Sequence, residues 1–258
     1  MLISRTWLQS YFEKELPDTQ SVAEELLLHS FEIEGVENTI IDIDVLPNRA
    51  HDCLCYRGIA QEVSGLLKYP MIENRYSPYT EGNADPITVN LENSEKCRRY
   101  SAFRAQGVTV TDSPAWLVES LKDMGQKSIN NIVDATNYVM FDIGQPLHAF
   151  DADKVVGGIT IRNAKEEEMM TTLSGEEVSL TTDDLVITDD EGILALAGVK
   201  GGNRAEVTKE TKNIIVEIGN FDPLTVRKTS RRVKIQTDSS KRFENEISVN
   251  LVEYATGA

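Results

Sequence analysis

Residues 185–218, LVITDDEGILALAGVKGGNRAEVTKETKNIIVEI, place short apolar runs between polar turns that contain glycine. Such runs, bounded by turn residues, are typical of β-strands. This pattern and others like it predict strands at 87–91, 100–110, 159–162, 185–188, 193–199 and 214–218. From residue 87 onwards, helical spacing is confined to 115–124, 133–142, the segment after Pro223 and the segment from Lys241. Grouped strands with helices kept to one side favour an α+β domain over a wound parallel sheet.

The N-terminal part of the chain predicts a second, smaller α+β domain. Apolar side chains recur at helical spacing over 7–12 and 52–67. Ser21 opens an S-x-x-E capping box, which predicts that another helix begins near this residue. Strands are predicted at 31–36 and 40–46, and the three residues between them are few enough for a hairpin.

A proline-containing stretch separates these two patterns. Residues 69–86, YPMIENRYSPYTEGNADP, contain three prolines and a glycine and have little periodicity, which predicts a linker. We therefore divide the chain into an N-terminal domain over 1–75, a linker over 76–86 and a large domain over 87–258.

The bulk composition excludes several classes of protein. A hydrophobic fraction of 40% and a charged fraction of 26% are ordinary for a globular protein and exclude disorder throughout. No apolar run approaches the roughly 20 residues of a membrane span, and the N-terminus lacks the pattern of a secretory signal. Three cysteines and three histidines form neither a disulfide framework nor a zinc signature. A reducing cytoplasm is therefore the expected compartment.

Charge is distributed unevenly along the chain. The net charge of −16 repels phosphate backbones at long range, which argues against non-specific coating of nucleic acid. Residues 227–242 nevertheless carry seven basic residues and one acid. Such a run is either a solvated helix face or a surface that contacts phosphates.

His148 is the histidine best suited to chemistry. It follows Gly144 and Pro146, which predicts that it projects from a turn, where functional side chains concentrate. Asp151 is near enough in sequence to orient the ring, although a lone histidine is more often structural. A G-x-S-x-G motif is absent, so a catalytic His148 would act on water. The sequence also lacks G-x-G-x-x-G and P-loop motifs, which excludes the corresponding nucleotide sites.

Glu217 interrupts an apolar strand. Strand alternation directs its side chain away from the face of Val216 and Ile218, towards solvent on an edge strand or towards a pocket. The small residues at 195–202 predict either a tight turn or a place where another molecule approaches the backbone. Ser239 or Ser240 is a candidate cap for the next helix.

Several ordered strings resemble the β subunit of bacterial-type phenylalanyl-tRNA synthetase. They are VLPNR at 45–49, RGIAQEV at 57–63, INNIVDATNY at 129–138 and GQPLHAFD at 144–151. The resemblance runs across nearly the whole chain. It implies a small N-terminal α+β domain followed by a three-layer β/β/α sandwich, the B3/B4-type editing domain. Only Glu37–Thr39 lie between the two early strands, where the family has an inserted OB-fold tRNA-binding domain. The sequence up to residue 258 corresponds to the part of the family that precedes its later domains, as expected of either a fragment or a free-standing editing module.

The resemblance also implies an activity. In that family the large domain hydrolyses tyrosine wrongly attached to the phenylalanine tRNA, because an apolar pocket for phenylalanine rejects an added hydroxyl only about a hundredfold. The editing site is expected to need no cofactor and no metal, whereas ATP and Mg²⁺ belong to the separate α subunit. The implied partners are the acceptor end of tRNA(Phe) and that α subunit, and neither DNA nor a membrane.

The family's editing residues correspond to particular residues of this chain. His148 would position or deprotonate the attacking water, and Thr136 and Asn137 would hold substrate and water. Glu217 would read the tyrosine hydroxyl through a buried hydrogen bond, since phenylalanine would leave that partner unsatisfied.

Further residues would form the pocket wall and contact the tRNA. Ala197, Gly198 and Thr237 match the family's wall, whereas Ser239 stands where the family usually has alanine. The residues implied to lie near the tRNA phosphates are Arg227, Lys228, Arg231, Arg232 and Lys234.

Two other functions stay open at this point. Ser239, Lys200 and Glu246 depart from the family pattern, which is compatible with a non-catalytic scaffold that binds tRNA or assembles with a synthetase subunit. A free-standing hydrolase that edits in trans with another amino-acid specificity is the other alternative.

Overall fold

The computed structural model describes residues 1–72, 76 and 86–258, and its contacts group these into two units. Unit 1 comprises Met1–Tyr79, Asp112–Gly144 and Gly257–Ala258, and unit 2 comprises Thr80–Thr111 and Gln145–Thr256. Each unit combines helices with sheets, which confirms the α+β class. Most of the predicted linker 76–86 lies outside the described residues.

Unit 1 contains an antiparallel sheet in the order β1-β3-β2. Its strands are β1 (Leu2–Ser4), β2 (Glu32–Glu37) and β3 (Ile40–Asp44). The predicted hairpin is confirmed by the pairing of β2 with β3. Alternation along β3 puts Ile41 and Ile43 completely inside the core, because successive side chains of a strand point to opposite faces.

Helices cover this sheet. They are α1 (Arg5–Gln9), α2 (Thr19–His29), α3 (Pro47–Cys53), α4 (Tyr56–Leu67), α5 (Ala115–Asp123) and α6 (Asn131–Ile143). The predicted capping box at Ser21 is wrong. The N-cap of α2 is Asp18, whose carboxylate accepts a hydrogen bond of 3.0 Å from the Ser21 backbone N–H.

Helices α5 and α6 fold with unit 1, whereas the division drawn from the sequence placed them in the second domain. The reason lies in their apolar faces, since Leu117, Leu121 and Phe141 belong to the unit 1 core. An amphipathic pattern shows that a helix covers some core, and it does not show which one.

The asparagine-rich string at 129–138 sets the start of α6. Asn130 is the N-cap, and its side-chain oxygen accepts hydrogen bonds from the first turn of the helix. Asp134 is completely buried and accepts hydrogen bonds from Ser113 Oγ (2.5 Å), Ser128 Oγ (2.5 Å) and the Ile129 N–H (2.9 Å). These bonds satisfy the oxygen atoms of a buried carboxyl group and hold the preceding loop against the helix.

Unit 2 contains most of the strands. They are β4 (Val89–Leu91), β5 (Cys97–Gln106), β6 (His148–Asp151), β7 (Ile159–Asn163), β8 (Met169–Thr171), β9 (Glu177–Ser179), β10 (Leu185–Thr188), β11 (Ile193–Leu196), β12 (Lys200–Gly201) and β13 (Asn213–Phe221). One sheet has the order β12-β11-β10-β7-β4, another the order β5-β13-β6, and β8 pairs with β9. The six strands predicted for this region are present, β10 with the predicted ends and the others with shifted ends, whereas β6, β8, β9 and β12 were not predicted.

The described α-helices of unit 2 follow its last strand. They are α7 (Pro223–Val233), α8 (Asp238–Phe243) and α9 (Leu251–Thr256). The basic helix after Pro223 is confirmed, with the proline in its first turn. The helix predicted from Lys241 is present as two short helices, α8 and α9, and α8 begins before Lys241. The N-cap of α8 is Thr237, which forms a capping box with Ser240, and α8 ends at Phe243.

The sheets and helices of unit 2 share one hydrophobic core. Side chains from both larger sheets, such as Ile161 and Ile215, share one apolar cluster with Val226 and Phe243 of the helices. Among the residues that the structure describes, every helix is too short or too polar to cross a lipid bilayer.

Candidate functional site

The sheet β5-β13-β6 places His148 beside Glu217. The two residues are direct partners in the antiparallel pairing of β6 with β13. Side chains at such positions share one face of the sheet, with Cβ atoms about 4.5–5.5 Å apart. The prediction that His148 projects from a turn is wrong, because it is the first residue of β6.

Glu217 is buried on the central strand of this sheet. Its relative exposure is 7%, and β13 is flanked by β5 and β6. The default prediction of a solvent-facing edge position is therefore wrong. Burial raises the pKa of Glu217 to about 7, although a hydrogen bond from the Tyr100 hydroxyl to Oε2, 2.5 Å long, opposes this shift. Near neutral pH this carboxyl is divided between its two protonation states.

The imidazole of His148 lies directly on the backbone of β12. A Cβ atom added to Gly201 would lie 2.8 Å from Cε1 and 2.9 Å from Nε2 of the ring. The edge of the ring also meets Phe150 at a centroid distance of 4.8 Å. Burial and the nearby charge of Lys200 lower the pKa of His148 to about 4. The ring is therefore neutral at pH 7 and keeps a nitrogen that can accept a hydrogen bond.

Asp151 does not orient this ring, contrary to the expectation from sequence. Its carboxylate accepts hydrogen bonds from Thr211 Oγ1 at 2.6 Å and from the Asp153 N–H at 3.1 Å. Residues three apart on a strand point to opposite faces, so Asp151 and His148 diverge.

The predicted wall residues meet at the turn between β11 and β12. Thr237 Oγ1 donates to the Val199 carbonyl at 3.0 Å, and Ser239 Oγ donates to the Gly198 carbonyl at 3.2 Å. The hydroxyl that Ser239 adds relative to alanine therefore holds the turn in place. Ala197, the remaining member, is buried in the unit 2 core.

Gly198 is required by packing. Its φ is +71°, and an added Cβ would lie 2.9 Å from Val226, 3.0 Å from Phe243 and 3.1 Å from Phe221. The ring of Phe221 also covers Gly219, the direct partner of Tyr100 in the sheet. Packing is therefore continuous from the turn between β11 and β12, through Phe221, to the position in the sheet where Gly219 pairs with Tyr100.

Thr136 and Asn137 belong to unit 1, where both lie half-buried on α6. Thr136 Oγ1 donates to the Val133 carbonyl at 2.8 Å, one turn earlier in the helix. The role of these two residues in holding substrate and water stays a prediction.

The basic residues of α7 and Lys234, its C-cap, divide into two groups. Arg232 is bound to the Asp184 carboxylate and to the Ser179 carbonyl, the latter at 2.9 Å. The remaining residues are exposed and form no ion pair with any described residue; they are Arg227, Lys228, Arg231 and Lys234. The opposite face of the helix is buried through Val226, Thr229 and Ser230. The helix therefore presents an anchored face to the core and a cationic face to solvent.

Comparison with known proteins places these features in a family context. The B3/4 domain family model matches residues 96–258. The phenylalanine–tRNA ligase β subunit of Fusobacterium nucleatum is 44% identical over 222 residues, which cover 84% of this chain and 27% of that protein. The same subunit of Rhodopirellula baltica is 41% identical over 267 aligned positions, which cover 99% of this chain and 38% of that protein.

A solved structure is also similar. It is an N-terminal fragment of the phenylalanyl-tRNA synthetase β subunit from Pyrococcus horikoshii, with a TM-score of 0.46 and 16% identity, covering 90% of this chain and 73% of that chain. Across the two curated relatives described above, this chain spans 27–38% of their length.

Proposed function

Because this chain belongs to the B3/4 domain family, we propose that it is the editing region of a phenylalanine–tRNA ligase β subunit and hydrolyses the ester of tyrosine mischarged on tRNA(Phe). The observation that carries the proposal is the pairing of His148 with Glu217 on one face of a sheet. A separate α subunit would supply synthesis, with its ATP and Mg²⁺.

In this proposal, Glu217 selects tyrosyl over phenylalanyl esters. A buried carboxylate accepts a hydrogen bond from the phenol of a tyrosyl group, whereas a phenylalanyl group leaves it without that partner. Leaving a buried polar group unpaired costs about 1–3 kcal/mol, and more when the group is charged. The site therefore favours tyrosine and spares correctly charged tRNA.

His148 acts on the attacking water. A ring with a pKa of about 4 is a weak base at neutral pH, so its main contribution is to hold the water as a hydrogen-bond acceptor. As the water oxygen bonds to the ester carbonyl carbon, the bond from that carbon to the ribose oxygen breaks, and a water proton passes to the departing ribose oxygen. The products are free tyrosine and uncharged tRNA.

The test is a panel of aminoacyl-tRNAs offered to the protein and to Glu217→Ala. We expect the protein to hydrolyse tyrosyl-tRNA(Phe) faster than phenylalanyl-tRNA(Phe), and the substitution to reduce that preference at least about tenfold through loss of the hydrogen bond. Glu177→Ala, at an exposed position of β9, is the matched control. The absence of hydrolysis of any ester, or a preference unaffected by the substitution, contradicts the proposal. If the ester of another amino acid is hydrolysed fastest, the protein has a specificity other than tyrosine.

The exposed cations of α7 favour a second candidate function, the binding of tRNA without turnover. Each phosphate contact contributes about one unit to the slope of log affinity against log salt. We expect Arg231→Gln to weaken tRNA binding roughly tenfold and to reduce the slope by about one, measured by filter binding across a salt series. Lys209→Gln makes the same change of charge at an exposed position outside α7. An equal effect of both substitutions would indicate that α7 has no special role.

A further inference from the structure

Tyr100 is a polar side chain at the site that no sequence pattern singled out. It lies on β5 and pairs directly with Gly219, whereas Glu217 pairs with Ala102, two residues further along. Tyr100 and Glu217 therefore share the face that also bears His148. The glycine opposite Tyr100 is covered by the ring of Phe221, which therefore packs on the same face.

The hydroxyl of Tyr100 contacts one oxygen of the Glu217 carboxyl. It donates to Oε2 over 2.5 Å, within the range of strong hydrogen bonds to a carboxylate. Among the described residues, none donates a hydrogen bond to the other oxygen, Oε1. One acceptor oxygen is thus held by the protein, and the second remains for a ligand.

We propose that Tyr100 is a specificity-determining residue, which fixes Glu217 through Oε2 so that Oε1 accepts the phenol of a tyrosyl substrate. The proposal rests on the proposed editing function and adds a residue to its selecting group. A carboxyl held by one phenol keeps a defined orientation, so a second phenol finds its acceptor already in place. Pre-organisation of this kind favours the ligand that completes the hydrogen-bond set.

The Tyr100 hydroxyl also acts on the charge of Glu217. Its hydrogen bond opposes the rise in pKa that burial causes, and so preserves the ionised form near neutral pH. An ionised buried carboxylate penalises a ligand without a donor more severely than a neutral acid does, because an unpartnered charge costs more to bury. Removal of the hydroxyl should therefore weaken discrimination against phenylalanine as well as affinity for tyrosine.

Tyr100→Phe tests this, because it removes the hydroxyl and retains the ring. We expect the ratio of kcat/KM for tyrosyl-tRNA(Phe) over phenylalanyl-tRNA(Phe) to fall about tenfold, while Tyr254→Phe on α9 leaves the ratio unchanged. We also expect the titration midpoint of the Glu217 carboxyl, followed by ¹³C NMR in the ligand-free protein, to move upwards. The other titratable groups near this carboxyl are His148, its partner in the sheet, Lys200, whose charge acts on His148, and Cys97, on which the charge of Glu217 acts.

The outcomes separate the two proposals. Absence of tyrosyl-tRNA hydrolysis by the unsubstituted protein overturns the editing function, and the role of Tyr100 falls with it. Hydrolysis with an unchanged ratio in Tyr100→Phe overturns the role of Tyr100 alone. An increased ratio also overturns it, since Tyr100 would then compete with the substrate phenol for Glu217.

Discussion

Replacement of His148 by alanine is expected to lower the rate of tyrosyl-tRNA(Phe) hydrolysis by roughly 10–100-fold, because the attacking water loses its hydrogen-bond acceptor. The ring is the neutral acceptor on the face that bears Glu217, and among the described residues of that face no second imidazole can replace it. Single-turnover hydrolysis at neutral pH measures the effect directly. Tyrosyl-tRNA binding should change far less, because selection rests on Glu217.

His29→Ala is the matched control for this prediction. His29 lies on α2 in unit 1 with an exposed side chain, so its loss should leave hydrolysis unchanged. Thermal unfolding of both variants establishes that each is folded. If His148→Ala retains activity within about threefold of the unsubstituted protein, His148 does not act on the water.

Glu217 is expected to make the protein less stable as pH rises. Its pKa is about 7 in the folded protein and has an ordinary value of 4.5, so its stabilising contribution is complete below about pH 4.5 and is lost as pH rises through 7. A shift of this size corresponds to a change on the order of 3 kcal/mol in the free energy of unfolding. Glu217→Gln removes the titration and should flatten this part of the pH dependence.

The pKa of His148 is shifted in the opposite direction to that of Glu217. The effects of the two groups on the pH dependence of stability must therefore be separated. Its pKa falls from 6.5 to about 4, so its contribution is complete above about pH 6.5 and is lost as pH falls through 4. Urea unfolding gives the free energy of unfolding at pH 5 and at pH 8.5 for the protein and for Glu217→Gln. The change between the two pH values, compared between the two proteins, gives the contribution of the Glu217 carboxyl. Glu177→Gln, on the exposed face of β9, should follow the unsubstituted protein. If the free energy of unfolding changes equally with pH in the protein and in Glu217→Gln, this result contradicts the burial of Glu217.

The energetics of Glu217 are themselves an argument for function. A buried carboxyl without a cationic partner destabilises the folded state at neutral pH, because its charged form is poorly solvated. Glu217 has a phenol as its partner, and no described lysine or arginine forms an ion pair with it. Titratable groups whose pKa values are shifted by desolvation cluster at functional sites.

Local sequence determined most of the helices and strands. Alternation of apolar and acidic residues was sufficient for β3, and Pro223 together with basic residues was sufficient for α7. The ordered strings at 129–138 and 144–151 were sufficient to indicate the family. These features depend on neighbours within a few residues, where spacing and side-chain type set the backbone conformation.

Only the tertiary structure decided which residues meet. Strand alternation correctly separated Glu217 from Val216 and Ile218, yet it could not show that β13 is a central strand. Register then brought His148 and Tyr100, both distant in sequence, to the face of Glu217. Strand order and register arise from contacts between remote segments, which local propensity does not encode. For the same reason the unit to which α5 and α6 belong became evident only from the core that their apolar faces cover.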